Sequence, residues 1–365
     1  MPSIISVGTY SPPYELTQEM TTEFARELFS ESFQDIERLL SVFVNGEIEK
    51  RHFAVPLNWF RENHTLKERN DLYIERATTY GVEAIKDCLR SSLFLNEEVN
   101  VKEIDAIILV SSTGFSTPSL EARIMNILPF KTTTKRIPLW GLGCAGGASA
   151  LSRAFEYCQA YRGANVLVLC IELCSLTFQQ EDRTKSNLIG TSLFADGVAC
   201  ALVSGEQSNL IHISKQSVRP VIKATQSVLL PHSESVMGWN VNDNGLNVVF
   251  SRDIPSLIQE WLKPHVEDFL NDHQLNLEQI ESFVAHPGGK KVLQAYEYAL
   301  GFSKEDMEIP KQILQHYGNM SSPTVLYVLK QFMLEQQKTN NIGLVVALGP
   351  GFSLEQAIIK WEAIH

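Results

Sequence analysis

Short apolar runs of strand length alternate along this chain with longer stretches whose apolar residues recur at helical spacing. Ile104–Val110 (IDAIILV) predicts a strand, followed by a small-residue turn, a helical stretch around Leu120–Leu128, a second strand over Arg136–Trp140 and the segment GLGCAGGASALSRAFEYCQAY. The same order then recurs. Ile280–Ala285 (IESFVA) predicts a strand, His286-Pro-Gly-Gly turns into a helix over Lys290–Leu300, and GNMSSPTVLYVLKQFM follows a polar stretch. Asp105 precedes Cys144 by 39 residues and Glu281 precedes Asn319 by 38, which marks the two segments as counterparts of a duplication. Each half closes on strands, Ala164–Ile171 and Val198–Val203 in the first, Gly343–Leu348 and Gln356–Trp361 in the second.

Alternating strands and helices predict an α/β fold, and two similar halves predict a pseudo-twofold pair of sheets with helices sandwiched between them. A single doubly wound sheet is the alternative. The segments after Cys144 and Asn319 open on Gly, Ala or Ser and are apolar on more than one face, as helices buried between layers must be. The division falls at residues 1–210, which carry Cys144, and 211–365, which carry His286 and Asn319. Residues 1–100 read as an opening strand and a helical cap, with amphipathic patterns over Thr17–Ser41 and Tyr73–Leu89. Asp182–Ser251 is less regular and is expected to line or cover a cavity.

A length of 365 residues suits about two domains or one fold of two halves, and 44% hydrophobic against 20% charged residues describes an ordinary globular chain. The net charge of -11 opposes nucleic-acid binding, which needs clustered cations. No apolar run approaches a membrane span and the first residues lack an export signal, so a cytoplasmic protein without integral membrane association is expected. Six cysteines are too sparse for a disulfide framework, and no ligand spacing for a metal follows Cys170 and Cys174.

Cys144 lies in Gly141-Leu142-Gly143-Cys144-Ala145-Gly146-Gly147, after a strand and at a predicted helix start. Unpaired amides and the positive end of a helix dipole there favour a thiolate, the more so beside an imidazolium. The glycines let a bulky thioester approach. His286 ends a strand at a sharp turn, and Asn319 holds the duplicated counterpart of the Cys144 position. A pseudo-dyad therefore brings all three to one pocket. Cys, His and Asn in this order also occur in papain-like hydrolases, but the cysteine is deep in the chain and lacks their flanking motif.

WGLGCAGGA, AHPGG, GNMSS and LGPGFSLE together resemble the motif set of type III polyketide synthases, the chalcone-synthase-like condensing enzymes. KRIPLWGLGCAGGASA, TKSNLIGTSLFADG and HPGGKKV are similar, within that family, to alkylpyrone synthases of bacilli. The resemblance covers nearly the whole chain and implies a thiolase fold, with duplicated βαβαβ halves forming a layered αβαβα core, a homodimer, and acyl-CoA and malonyl-CoA as substrates with no cofactor and no metal. It implies Cys144 as nucleophile, with His286 and Asn319 as donors to the thioester and enolate oxygens. Phe194 and Phe250 match the family's gatekeeping aromatics. Thr117 falls where plant members place a methionine that reaches across the dimer. Cys174 and Thr177 fall among residues that shape the starter and cyclisation pockets, and Gly351 lies in the Gly349-Pro350-Gly351 loop that supports the latter. Lys50 and Arg51 match a basic motif associated with CoA binding. The resemblance implies a decarboxylative Claisen condensation on a starter expected to be a long-chain fatty acyl-CoA, ending in an alkylpyrone or alkylresorcinol. A ketoacyl-carrier-protein synthase III, which condenses once, and a catalytically silent acyl-binding scaffold are the rival readings.

Overall fold

A computed structural model of the chain describes residues 1–30, 33, 35–243 and 245–363. Nine strands share one hydrogen-bonded order: Ile280–Ala285, Ile342–Gly349, Ser353–Ala363, Val218–Leu229, Ser3–Tyr10, Asp196–Ser204, Asn165–Leu173, Ala106–Val110 and Lys135–Leu139. The order divides into two half-sheets of the same design. Ser3–Tyr10 runs antiparallel to Asp196–Ser204, which is antiparallel to Asn165–Leu173, which is parallel to Ala106–Val110. Val218–Leu229, Ser353–Ala363, Ile342–Gly349 and Ile280–Ala285 repeat that succession of two antiparallel pairings and one parallel. The half-sheets meet where Ser3 pairs with Val221.

Alternate residues of the second half-sheet serve different cores, as the period of two requires. Val345, Ala347, Ala357 and Ile359 join the central core, whereas Leu344, Val346, Leu348 and Ile358 pack outward under Ile254–Leu270 and the helix Lys290–Leu300. In the first half-sheet Ala106–Val110, Asn165–Leu173 and Asp196–Ser204 are buried at every position, which needs cover on both faces. Helix Leu66–Leu89 covers one face; the helices Gly146–Ala160 and Thr324–Leu334 cover the other and contact strands of both halves. The result is the αβαβα layering, with the two central helices in the middle.

Those helices approach closely because glycine allows it. A Cβ on Gly147 would lie 2.3 Å from the Ser322 carbonyl oxygen and 2.6 Å from Val325 Cγ1, and one on Gly146 would lie 2.4 Å from Val110 Cγ1. The irregular reading of residues 182–251 needs correction. Val218–Leu229 is a twelve-residue strand that begins the second half-sheet, and Met237–Asn242 pairs with Gly245–Phe250 as a hairpin. Pro220 and Lys223 interrupt the apolar pattern of that strand, whose buried positions are confined to Pro220–Ile222 and Ala224, so its period is weak in sequence.

Gly147→Val should drive the central helices apart, costing about 1–3 kcal/mol or more, and lower the thermal transition. Gly163→Ala, whose Cβ would meet only the Gln207 carbonyl oxygen at 3.9 Å, should stay within about 0.5 kcal/mol of the parent in the same experiment.

Candidate active site

Strand Lys135–Leu139 ends two residues before Gly141, and positive φ at Gly141 (89°) and Gly143 (47°) turns the chain into a single helical turn, Gly143–Ala145, that runs on into the central helix. Cys144 therefore stands at the entry to a helix, 6% exposed. The missing side chain of Gly143 admits Pro350, whose Cδ lies 2.8 Å from where a Cβ would be, so the Gly349-Pro350-Gly351 loop presses on this turn.

The counterpart turn carries Asn319. Its N–H donates to the Leu193 carbonyl at 3.0 Å and its carbonyl accepts from Ala195 N–H at 2.9 Å, which holds its backbone on both sides. The amide orientation is settled by backbone groups that can play one role only. Ser321 N–H donates to Oδ1 at 2.8 Å, and Nδ2 donates to the Gly288 carbonyl at 3.1 Å. Oδ1 thus faces Cys144 and accepts from its Sγ at 3.8 Å. Ser321 takes φ of 60°, a left-handed conformation uncommon for a residue with a Cβ, and lines the same cavity.

His286 extends the strand ladder through its N–H to the Val346 carbonyl at 2.8 Å, and its carbonyl accepts from Gly288 N–H at 3.0 Å. Asn319 is thus bonded both to Cys144 and to the loop that follows His286. The imidazole is buried, and among the described residues neither ring nitrogen has a hydrogen-bond partner. Burial pushes the His286 pKa down to about 3 and the Cys144 thiol up to about 11, against smaller opposing effects of Ser321 and Asn319 on the thiol. At Cys144 desolvation thus opposes the helix start, which favours a thiolate. Behind Cys144, the buried carboxylate of Glu172 accepts from Ser112 N–H and the Ser322 hydroxyl, both at 2.9 Å, and burial raises it to about 7.

Cys144 lines a cavity of about 410 Å³, counted to its mouth, with Cys174, Phe194, Trp239, Phe250, Ser321 and Pro350. A second chamber of about 590 Å³ shares Cys174, Phe194, Trp239 and Val248 with it and continues to Phe24, Phe53, Leu57, Phe60, Thr177 and Phe178. Phe194 and Phe250 meet edge to face, 6.4 Å between ring centroids. The Thr177 hydroxyl donates to the Cys174 carbonyl at 2.8 Å. Two of the expected residues stand outside both chambers within one chain. Thr117 is exposed and lines neither chamber; Gly351 also lies outside both, its carbonyl accepting from the Ser233 hydroxyl, while Pro350 takes the lining position.

Arg51 is the clearest correction. Adjacent strand residues face opposite ways, so Lys50 is only half-buried and pairs with Glu15 at 2.9 Å, whereas Arg51 is 1% exposed and cannot meet CoA phosphates at the surface. The sequence reading missed Ser321, Trp239 and the phenylalanines of the second chamber. Ser321 could have been found as part of GNMSS; the phenylalanines are scattered along the chain with no common spacing.

With this geometry in place, comparison with known proteins is decisive. The description "Chalcone and stilbene synthases, N-terminal domain" matches residues 3–207, and "Chalcone and stilbene synthases, C-terminal domain" matches residues 221–362. The chain belongs to the chalcone and stilbene synthase family. It is 52% identical over 99% of both chains to a Bacillus subtilis (strain 168) protein that carries the name of chalcone synthase with a provisional qualifier. It is 29% identical to a 1,3,6,8-tetrahydroxynaphthalene synthase of Streptomyces peucetius subsp. caesius, over 98% of this chain and 93% of that one. The crystal structure of 1,3,6,8-tetrahydroxynaphthalene synthase from Streptomyces coelicolor A3(2), a bacterial type III polyketide synthase, superposes with a TM-score of 0.91 at 27% identity, covering 99% of this chain and 100% of that one. The family member is thus a type III polyketide synthase, an acyltransferase-type enzyme of thiolase fold. Among the described residues no helix is long and apolar enough to cross a membrane.

Cys144 and Cys174 reach the cavities, while Cys88, Cys158, Cys170 and Cys200 lie in the packed core. Brief treatment of the folded protein with iodoacetamide, read by peptide mass spectrometry, should label Cys144 first; Cys174, whose thiol burial pushes well above its ordinary value, and the four core cysteines should be spared until denaturant is added.

Proposed function

We propose that this polyketide synthase loads a long-chain fatty acyl-CoA on Cys144, extends it with malonyl-CoA and releases an alkylpyrone or alkylresorcinol. The observation that carries the starter is the apolar second chamber, which adjoins the Cys144 cavity across Cys174 and Phe194. Each methylene buried there contributes about 0.8 kcal/mol, which an alkyl chain can use and a polar starter cannot. A relative from Mycobacterium tuberculosis (strain CDC 1551 / Oshkosh), 29% identical over 96% of this chain, is named for alpha-pyrone synthesis, which agrees with this product class.

Cys144 and His286 are each costly to charge alone, so in this mechanism they charge together. The thiol proton passes to the imidazole, and each ion supplies the counter-charge that a dry pocket demands. The thiolate attacks the acyl-CoA carbonyl; the bond to the CoA sulfur breaks, and CoA leaves with the proton from His286. Malonyl-CoA then binds and loses carbon dioxide, and the electron pair of the broken carbon–carbon bond remains as an enolate. Its oxygen is met by the His286 N–H and by the Asn319 Nδ2 hydrogen not directed at Gly288. The enolate carbon attacks the Cys144 thioester, a new carbon–carbon bond forms, and the Cys144 sulfur is released for another round. CoA thioesters act as substrates throughout.

The homodimer is part of the same proposal. Phe115 and Trp140 stack at 5.5 Å while 40% and 51% exposed, beside the exposed Thr117, and form an apolar surface suited to a second copy.

Purified protein given malonyl-CoA with short, aromatic and long-chain starters should yield pyrones or resorcinols from the long ones, and Cys144→Ala should yield none, by mass spectrometry of products. A single-extension ketoacyl product, formed only with carrier-bound malonate, would contradict the proposal.

A further inference from the structure

The buried guanidinium of Arg51 has no salt-bridge partner among the described residues, an expensive arrangement for a cation. Nearby Asp196 does not take that place: its carboxylate accepts from Ser175 N–H, the Ser175 hydroxyl and Ala54 N–H. Arg51 Nη1 instead donates to the carbonyls of Thr191 at 2.6 Å and Phe194 at 3.0 Å. These lie at the end of helix Lys185–Leu193, where backbone carbonyls lack partners of their own and the helix dipole is negative. The stem of the same side chain packs on the neighbouring turn, Arg51 Cγ lying 2.8 Å from where a Cβ on Gly318 would be.

The segment so held carries two parts of the site. Phe194 stands in the wall shared by both chambers, and Leu193 and Ala195 make the hydrogen bonds that fix the Asn319 backbone. We infer that Arg51 is a positioning residue for condensation, clamping Leu193–Ala195 so that the Phe194 ring and the Asn319 amide keep their places. His286 is held separately, by the Val346 carbonyl, so the inference separates steps that need Asn319 from the loading of Cys144. It rests on the polyketide reading above.

The test uses the full chain with Arg51→Met and Arg51→Lys, following three readouts: acyl adduct on Cys144 by mass, carbon dioxide release from malonyl-CoA, and product length. The expected result is a kcat for decarboxylation lowered roughly 10–100-fold, the scale of a displaced catalytic group. The starter KM should hold, the Cys144 adduct should still form stoichiometrically, and the product range should broaden. Arg51→Lys, which keeps the charge and a donor, should recover part of the rate. If Arg51→Met does not fold, Arg51→Lys with a thermal transition like the parent's decides alone. Parent-like decarboxylation and products in a folded variant would overturn the inference, as would equal loss of loading and decarboxylation. A parent chain that takes no acyl group and releases no carbon dioxide would instead sink the polyketide reading, and this inference with it.

Discussion

The crossing of the two central helices is the constraint on which the site depends. Gly147 lies against the Ser322 carbonyl with no room for a Cβ, and this contact sets how near the starts of the two helices come. Cys144 and Asn319 sit just before those helices, one from each half of the duplication, and meet at 3.8 Å. Both residues are carried on turns that glycine permits, at Gly143 and at Gly318, where φ is 70°. The half-sheets on either side supply the rigid layers that keep the crossing closed.

The same enclosure creates the electrostatic problem that the chemistry must solve. A pocket dry enough to raise Cys144 to about 11 and lower His286 to about 3 leaves both neutral when considered singly. In the proposed mechanism, proton transfer from Cys144 to His286 answers this, since each ion then stabilises the other at low dielectric. On that proposal, thiolate formation depends on His286 as well as on the helix start. The neighbouring apolar chamber carries the cavity at Cys144 on toward Phe24, Phe53, Phe60 and Phe178.

Much of this was legible in sequence. The strand Ile280–Ala285 and the helix Lys290–Leu300 have the bounds that the pattern predicts, because an apolar run and an amphipathic run meet at an unambiguous turn. The duplication pointed to Cys144 and Asn319 as counterparts, and the structure joins them. Val218–Leu229 was not legible because a half-buried strand containing Pro220 shows neither clear alternation nor a continuous apolar run. Arg51 was misread because two basic neighbours look alike in sequence, although a strand sends one to solvent and the other inside. The second chamber was hidden for another reason: Phe24, Phe53, Phe60 and Phe178 come together only through the tertiary fold.

The most direct test of the account is the ultraviolet absorbance of the Cys144 thiolate against pH, in the parent chain and in His286→Ala, each corrected with its Cys144→Ala counterpart. The account predicts thiolate in the parent at neutral pH. In His286→Ala the signal should be absent there and emerge only as pH rises toward about 11, the value burial imposes on the lone thiol. The same titration curve in both proteins would contradict it.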